Sequence, residues 1–398
     1  MDQSQIDNQL FHMFDGSFKA AKDLQVGDEL MGVDSLPCTI EEIDTAEEIS
    51  YLVKPVKGDS YIVGESDTLS LSFSSANSIS SWDTKRNSCA VTYFDRYELK
   101  ATSVTFSVKS HGNKEKALEA AESYRSLLDP NKTFPIRVLD YMDSTKTFKH
   151  CAKGFKVSLN FPERHFPIDP YFIGYWLGDG SSGDCALTIG DEDYHMVEYF
   201  EEYFEDNFDL EFNKVGSGIT YRVTTGEHGH SCDGKNVVLR YLRDKNLYKN
   251  KHIPIEFLHS SRESRLRLLA GLLDSDGSLN YNTCYDFVQK REKLLDDVLY
   301  LARSLGFACY KQKCRKTCTN SLTKATGDYF RCGISGKGME EIPCMIPRKK
   351  VGPREQIKDV LVTGIELEDI GVFDNYHIYT DKPEYLLADF TVRHSHEI

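Results

Sequence analysis

The sequence predicts a multidomain protein in which an all-β domain is split between the two chain ends and an α+β domain lies between the halves. Its 398 residues suffice for two or three domains of ordinary size. Both ends show short apolar runs separated by turn residues, whereas helical spacing dominates from residue 165. Net charge divides the chain similarly: −11 over residues 1–74, −7 over 355–398 and +4 between them.

A mildly basic middle between two acidic ends suggests an anion-binding insert in an acidic host domain, although ordinary surface variation explains these charges equally well. The eleven cysteines show no paired spacing, which favours reduced thiols and an intracellular protein, nuclear if the host is eukaryotic. The chain has no apolar stretch of about 18 residues, so we expect no membrane span.

Turn residues and the spacing of apolar residues predict the strands and helix of the N-terminal part. Turns at Asp15-Gly16 and Val26-Gly27-Asp28 separate what we expect to be short strands, and the Ser/Asn-rich residues 75–90 predict a loop. Alternation over 90–108 predicts a hairpin or a three-stranded sheet, and residues 113–127 predict a helix.

Four further helices are predicted after residue 165. The first begins with Pro170 at its first position, and the third begins at a capping box, Ser260-Ser261-Arg262-Glu263. Their predicted bounds are 170–178, 191–206, 261–275 and 287–305.

Two of these helices end in the same pattern. Residues 172–180 match residues 269–277, 97 positions later, and each copy has a glycine five residues before an aspartate and another glycine after it. The central glycines, Gly174 and Gly271, would let two helix backbones approach closely. The final glycines, Gly180 and Gly277, suit a left-handed position after the helix.

The aspartates of the two copies, Asp179 and Asp276, indicate chemistry. A carboxylate at a helix C-terminus opposes the helix dipole, and two packed helices would bring two such charges together. Mg²⁺ resolves both problems and also binds phosphate oxygens, which suits phosphodiester hydrolysis. A single Asp-Gly ending is an ordinary turn, but two matched copies favour a site.

These two copies resemble the paired motifs of the LAGLIDADG homing endonucleases, and the likeness covers about residues 165–350. The resemblance implies an α+β domain of two pseudo-symmetric αββαββα repeats. By the same resemblance, Asp179 and Asp276 are catalytic metal ligands in a site that includes Gly178 and Ser275. Lys251, in Lys-His-Ile-Pro, and Lys350 would be the catalytic lysines. Two or more Mg²⁺ ions would be shared with DNA phosphates.

The resemblance also implies double-stranded DNA as partner, bound over a curved β-saddle and cut across the minor groove to leave short 3′ overhangs. A chain that holds both repeats should act as a monomer on an asymmetric site. A basic run without acidic residues could follow the phosphates: Lys311, Lys313, Arg315 and Lys316.

The chain ends resemble the Hint domain of inteins, through residues 13–32 and 376–392. The splicing positions would fall on Ser4 as nucleophile, Asp67 in place of a polarising histidine, and His394 followed by Ser395 in place of asparagine. Aspartate cannot donate as an imidazolium does, and serine has no side-chain amide to cyclise. We therefore expect a vestigial splicing site.

Residues 81–128 resemble an Apetala-type DNA-binding domain of three strands and a helix, with Arg96, Lys100, Lys109 and Lys114 as candidate DNA contacts. The expected order is a Hint-like part (1–80), a DNA-recognition insert (81–130), a Hint-like continuation or linker (131–164), the endonuclease domain (165–352) and the final Hint-like part (353–398). The sequence thus predicts an intein-derived, splicing-defective homing endonuclease. A protein-splicing element and a DNA-binding protein with a decayed nuclease stay as alternatives.

Overall fold

The computed structural model describes residues 2–73, 78–95, 100–128, 132–226, 235–280, 283–317, 326–353 and 359–396. The chain folds into two compact units of mixed helices and small antiparallel sheets. The first unit combines Met1–Val157 with Leu361–Ile398, and the second is Ser158–Val360. Among the described residues, no helix is long and apolar enough to cross a membrane.

The N-terminal part of the first unit is mostly β-structure. Its elements are α1 (Gln3–Asp7), β1 (Leu10–His12), β2 (Phe18–Ala20), β3 (Glu29–Met31), β4 (Pro37–Pro55), β5 (Tyr61–Gly64), β6 (Thr68–Phe73), β7 (Ser78–Ile79), β8 (Ser88–Asp95), β9 (Lys100–Ser107), α2 (Val108–His111), α3 (Lys114–Leu127), β10 (Thr133–Arg137), α4 (Val138–Asp143), α5 (Lys146–Cys151) and β11 (Ala152–Phe155).

The second unit alternates helices with short sheets, and the chain then returns to the first unit as strands. The elements of the second unit are α6 (Pro170–Asp179), β12 (Ala186–Thr188), α7 (His195–Phe208), β13 (Glu211–Lys214), β14 (Thr220–Thr224), α8 (Val237–Asp244), α9 (Ile255–Leu258), α10 (Arg262–Ser275), β15 (Gly277–Asn280), β16 (Cys284–Gln289), α11 (Glu292–Ser304), β17 (Ala308–Thr317) and β18 (Thr326–Ser335). The returning strands are β19 (Val362–Thr363), β20 (Ile365–Thr380), β21 (Glu384–Leu386) and β22 (Val392–His394).

A long antiparallel ribbon joins the two ends of the chain. β4 pairs with β20 from Pro55–Ile365 to Ile40–Thr380, and β3 and β5 also pair with β4. The expectation of only short strands at the chain ends is therefore wrong for β4 and β20. Their solvent-exposed residues are polar enough to resemble turns, but each strand takes its length from pairing with the other.

The apolar residues of the first unit form one main core and a separate core in the insert. The main core includes Phe11, Leu71, Phe73 and Tyr385, all of them buried. In the insert, β7, β8 and β9 form a three-stranded sheet, and Val91 and Phe106 pack with Ala121 of α3. The predicted loop over 75–90 thus contains β7, while residues 74–77 lie outside the described part of the chain.

The predicted helices are present in the second unit, but three of their N-terminal ends differ. The helix expected over 191–206 begins at His195, after a short 3-10 turn at Asp191–Asp193. The helix expected over 287–305 begins at Glu292, because residues 284–289 form β16 and bond to β15 and β18 on either side. The cap of α10 is Ser261, whose side chain accepts from the Ser264 amide, rather than Ser260 with Glu263. The Ser260 hydroxyl is buried and donates to the Phe257 carbonyl.

Candidate functional site

Helices α6 and α10 cross in backbone contact at the two central glycines of the repeated motif. A Cβ on Gly174 would overlap the Leu268 carbonyl, and a Cβ on Gly271 would overlap the Tyr171 carbonyl. Leu268 and Tyr171 each lie three residues before the glycine of their own helix, so the two contacts are reciprocal. This close crossing brings the C-terminal ends of the helices together.

The final glycines of the motif do not adopt the left-handed conformation predicted for them. Gly180 is extended, at φ −78° and ψ 152°, and Gly277 has no left-handed φ. A side chain is excluded at both positions for a steric reason. A Cβ on Gly180 would overlap Trp176, and a Cβ on Gly277 would lie 2.7 Å from the Leu273 carbonyl oxygen.

The two repeated aspartates lie at the adjoining helix ends. Asp179 is the last residue of α6, and Asp276 directly follows α10. Burial raises the pKa of Asp179 to about 6, and the nearby Asp276 charge adds to the increase. Burial also raises the pKa of Asp276, against the opposing effect of Lys251 and Lys349. Gln289 donates to Asp276 Oδ2 at 3.2 Å.

Two buried lysines hold the ends of these helices. The Lys251 ammonium donates to the carbonyls of Gly178 and Gly180 at 2.9 and 2.7 Å and lies 5.2 Å from the centre of the Trp176 ring. The Lys349 ammonium donates to the carbonyls of Leu273, Asp274 and Ser275 at 3.0, 2.5 and 2.9 Å.

Burial shifts both lysines towards the neutral form. It lowers the pKa of Lys251 to about 8, although Asp276 and Asp179 oppose the shift. Burial also lowers the pKa of Lys349 below its ordinary value. The predicted Lys350 is exposed, whereas the neighbouring Lys349 is 9% exposed and lies at the helix end. Lys349 rather than Lys350 is therefore the lysine that lies at the end of α10, as Lys251 does at the end of α6.

The donor set at the helix ends is small and consists of oxygens. Among the described residues, no group of three or more His, Cys, Asp or Glu side chains could hold a metal ion. The two carboxylates at the adjoining helix ends, of which Asp276 raises the pKa of Asp179, nevertheless fit a divalent cation whose remaining ligands come from a phosphate or water. The carbonyls of the predicted ligands Gly178 and Ser275 both accept lysine hydrogen bonds.

The predicted basic run divides between the two faces of its sheet. Because side chains alternate along β17, Lys311, Lys313 and Arg315 share the face of buried Cys309, and Lys316 is on the other face. Lys311 forms ion pairs with Glu292 and Asp296 of α11, at 2.9 and 2.7 Å. The four residues therefore do not share one face of the sheet, and their contact with DNA phosphates stays a prediction.

The predicted contacts of the insert are spread over several of its elements. Lys100 begins β9, Lys109 lies in α2, and the Lys114 ammonium lies 5.5 Å from the centre of the Trp82 ring. Arg96 lies outside the described residues. On the sheet face opposite α3, the Thr92 and Ser103 hydroxyls bond at 2.9 Å.

The predicted splicing residues are held in different ways in the first unit. Ser4 is exposed in α1, and the Asn8 side chain donates to its hydroxyl and its carbonyl. Asp67 is buried and accepts from Arg393 at 2.7 Å. His394 Nδ1 lies 2.8 Å from the Ser395 carbonyl oxygen, and the Ser395 hydroxyl accepts from the Thr380 amide.

A buried ionic network that the sequence did not indicate surrounds Asp67. The rings of His377 and His396 stack with centroids 4.0 Å apart. His396 lies 3.2 Å from Asp67, and His377 lies 2.8 Å from Glu48. Burial would raise the pKa of Asp67, but Arg393 holds it below its ordinary value. Similarly, hydrogen bonds from His377 and Ser66 outweigh burial and lower the pKa of Glu48.

Sequence reasoning missed these network residues, and within Lys349-Lys350 it chose Lys350. A weak signal existed for Lys349, since Ile-Pro at 253–254 and at 346–347 is separated from a lysine by one residue in each case. The lysine precedes Ile-Pro in the first copy and follows it in the second, so no fixed spacing identifies it. For Glu48, His377 and His396, no local pattern joins positions about 330 residues apart.

Comparison with known proteins gives partial similarities. No protein-family profile matches the chain. The replicative DNA helicase DnaB of Mycobacterium intracellulare is 31% identical over 152 residues, which cover 38% of this chain and 21% of the helicase. The chain thus spans about a fifth of the length of that curated relative.

Solved structures of DNA-bound I-DmoI and of an intein are also similar to parts of the chain. I-DmoI with DNA and Ca matches with TM-score 0.29 and 13% identity over 42% of this chain and 83% of that chain. I-DmoI with DNA and Mn matches with TM-score 0.28 and 14% identity over 42% and 89%. The gp41-1 intein matches with TM-score 0.15 and 17% identity over 16% and 48%.

Proposed function

We propose that this protein is a site-specific endonuclease that hydrolyses both strands of double-stranded DNA with Mg²⁺. The observation that carries the proposal is the pairing of Asp179 with Asp276 at the ends of two helices in backbone contact. Two half-buried carboxylates at adjoining helix ends favour a divalent cation between them, since it offsets the repulsion that otherwise favours binding of a proton. Mg²⁺ prefers such oxygen ligands and binds phosphate oxygens as well.

Each residue of the site has a separate part in this proposal. Asp179 and Asp276 supply the carboxylates that would hold Mg²⁺ against the DNA backbone. When bound, Mg²⁺ stabilises charge on the phosphate and activates water. Lys251 and Lys349 keep the helix ends in position through their carbonyls and offset the negative charge of the two aspartates.

The DNA site would be long and asymmetric, and one protein chain would bind it. The second unit contains two sheets with matching strand order, so one chain supplies both halves of a pseudo-symmetric binding surface. The side chains of the halves differ, which favours two different half-sites. Lys316 is the member of the predicted basic run that faces away from the helices, and it is our candidate for phosphate contact.

The test uses the purified full chain with Mg²⁺ and fragmented source-genome DNA, and all DNA ends produced are sequenced. We expect discrete ends that share one long sequence, and we expect Asp276→Asn and Asp179→Asn to abolish them. Asp206→Asn is the matched control, since Asp206 is exposed on α7 and lies in the same unit. Full Mg²⁺-dependent cleavage by either active-site variant would contradict the proposal.

The outcomes also separate the alternatives. A common sequence that is enriched by binding but not cut would mean a protein that reads DNA with a decayed nuclease. Ligated flanking reporters, without metal or DNA, would mean a protein-splicing element. The bonds of Asp67 to Arg393 and of the Ser4 hydroxyl to Asn8 argue against splicing, because both groups have other partners.

A further inference from the structure

The two sheets of the second unit repeat each other strand by strand. In the second sheet the order is β15-β16-β18-β17. In the first sheet the order is β12-β14-β13, and Gly180 adds a bridge to Leu187 at the position that β15 occupies in the other sheet. β14 therefore corresponds to β18, and β12 corresponds to β16.

Each sheet carries an aspartate–arginine pair with the same local spacing across two strands. Arg222 of β14 is opposite Ala186, and it pairs with Asp184, two residues before Ala186. Arg331 of β18 is opposite Val288, and it pairs with Asp286, two residues before Val288. The two pairs thus have the same local geometry, although the contacts of Gly180 with Leu187 and of Gly277 with Phe287 place them two residues apart in strand register.

Both pairs lie on the sheet face that points away from the core. Tyr221 and Val223 flank Arg222 and are buried on the opposite face, and Cys332, next to Arg331, is buried in the same way. The arginine side chains are 49% and 44% exposed, whereas the side chains of Asp184 and Asp286 are 28% and 10% exposed. Each carboxylate is therefore fixed in the sheet below a guanidinium that reaches solvent.

The atoms used in the pairs leave the recognition edge of each arginine available. In both pairs the contact with the carboxylate runs through Nε. The terminal amino groups form the fork that donates to guanine O6 and N7, and this is the commonest sequence-specific contact in the major groove. A two-stranded β-ribbon has the width to enter that groove.

We propose that Arg222 and Arg331 each read a guanine, that Asp184 and Asp286 orient them, and that the target carries these two guanines on opposite sides of its centre. The inference rests on the proposed function, since it concerns how the same DNA is recognised. It adds that each half of an otherwise asymmetric target carries one guanine that an arginine reads.

The experiment selects bound sequences from a randomised duplex library with the full chain, with Ca²⁺ in place of Mg²⁺. The wild type, Arg222→Gln, Arg331→Gln and the control Arg240→Gln are compared. Arg240 is exposed on α8, outside both sheets. We expect each sheet variant to lose guanine preference at one position by roughly tenfold and to keep the other, and the control to match the wild type.

Charge-preserving variants separate base reading from phosphate binding and from a structural role. Arg222→Lys and Arg331→Lys should lose the guanine preference at the same positions, because a lysine ammonium lacks the paired, planar donors of a guanidinium. Asp286→Asn should broaden the preference at the Arg331 position while the melting temperature stays close to that of the wild type.

Three results would overturn the inference. An unchanged sequence preference in all four arginine variants, with DNA selection and cleavage intact, would refute guanine reading and leave the proposed endonuclease in place. A uniform loss of affinity at every sequence would assign the arginines to phosphates. A wild type that neither selects nor cuts any sequence would refute the endonuclease and this inference together.

Discussion

At the scale of single residues, the site depends on two lysines that hold the helix ends from outside the repeated motif. Lys251 bonds the end of α6, and Lys349 bonds the end of α10. Asp179 is more strongly affected by Lys349 than by Lys251, and Asp276 more strongly by Lys251. Each lysine thus bonds one helix end while its charge acts mainly on the aspartate of the other helix.

This arrangement predicts unequal roles for two adjacent lysines. Lys349→Gln removes a positive charge beside the carboxylates and the donor to three carbonyls, so we expect Mg²⁺-dependent cleavage to fall roughly 100-fold or more. Lys350→Gln is the matched control, since Lys350 is exposed, and its rate should stay within about twofold of the wild type. Single-turnover cleavage of the identified target measures both rates.

A thermal melt of each variant accompanies the rates, because unbonded carbonyls at a helix end also cost about 1–3 kcal/mol of stability. Equal activity of the two variants would refute the assignment of this catalytic role to Lys349 in place of Lys350. A larger loss in Lys350→Gln than in Lys349→Gln would reverse it.

The sequence could identify both aspartates and Lys251, but it could not single out Lys349. Asp179 and Asp276 follow from a repeat that is visible by eye, since the two copies share glycines at matched positions. Lys349 lies 73 residues after Asp276, and only folding brings it to the helix end. Lys311 is the converse case, because its neighbours in sequence are basic but its ion-pair partners are acidic residues of α11.

At the scale of elements, the crossing of α6 and α10 sets the separation of the two carboxylates. The crossing leaves no room for a methyl group at either central glycine. Gly174→Ala or Gly271→Ala must push the helices apart or bend them. We expect a loss of about 1–3 kcal/mol or more in stability, together with loss of cleavage.

Gly218→Ala is the matched control, since a Cβ there meets no atom within 4 Å. Denaturant unfolding of the three variants measures the cost, and we expect the control to stay within about 0.5 kcal/mol of the wild type. Wild-type stability and cleavage in both Gly174→Ala and Gly271→Ala would show that the helices do not need backbone contact.

The ribbon of β4 and β20 carries a pH-sensitive contact between Glu48 and His377. The hydrogen bond that His377 donates to the Glu48 carboxylate raises the pKa of His377 above its ordinary value of 6.5. A raised histidine pKa stabilises the folded state fully below the unfolded value, and this contribution is lost as the pH rises through the folded value.

We therefore expect the stability advantage of the wild type over His377→Gln to be largest below pH 6.5 and to shrink as the pH rises above it. Melting temperatures of the two proteins from pH 5.5 to 8.5 test this expectation. At more acid pH the lowered pKa of Glu48 acts in the opposite direction, because that contribution disappears as Glu48 binds a proton. An advantage that grows with rising pH would contradict the assigned partner.

The elements that the sequence predicted well are those whose signals are local. α6 and α10 have caps, apolar stretches and glycines within their own length, and α3 has a cap and an apolar stripe. Residues 287–289 of β16 were mistaken for the start of a helix, because Phe287 and Val288 are apolar and directly precede α11, while the partner strand β18 is distant in sequence. β4 and β20 appeared as short strands for the same reason, since their length comes from each other.

At the scale of the whole molecule, the chain leaves the first unit near residue 157 and returns near residue 361. β4–β20 pairing joins the segments before and after the second unit into one core. The β-rich pattern of both ends and their acidic charge suggested this arrangement. The ionic network around Asp67 could not be predicted from the sequence, because its residues come from four separate segments.

That network bears on whether the first unit can splice. Splicing needs a free nucleophile at the first position, a donor that polarises the scissile amide and a terminal amide that cyclises. The Ser4 hydroxyl bonds to Asn8, Asp67 is held by Arg393, and Ser395 has a hydroxyl in place of the amide. We therefore expect no ligation when residues 4–395 are placed between two reporter proteins, as measured by mass spectrometry of the products.

A double variant makes this expectation specific to the two altered positions. Asp67→His with Ser395→Asn restores an imidazole and a terminal amide, but it removes the partner of Arg393 and leaves a buried guanidinium uncompensated. Loss of one partner of a buried ion pair costs about 3–5 kcal/mol, so we expect the double variant to unfold at lower temperature than the wild type rather than to splice. Ligated reporters from the wild type would show that the first unit is an active splicing domain. Ligation by the double variant alone would show that these two residues are the whole difference and that the ionic network is no barrier.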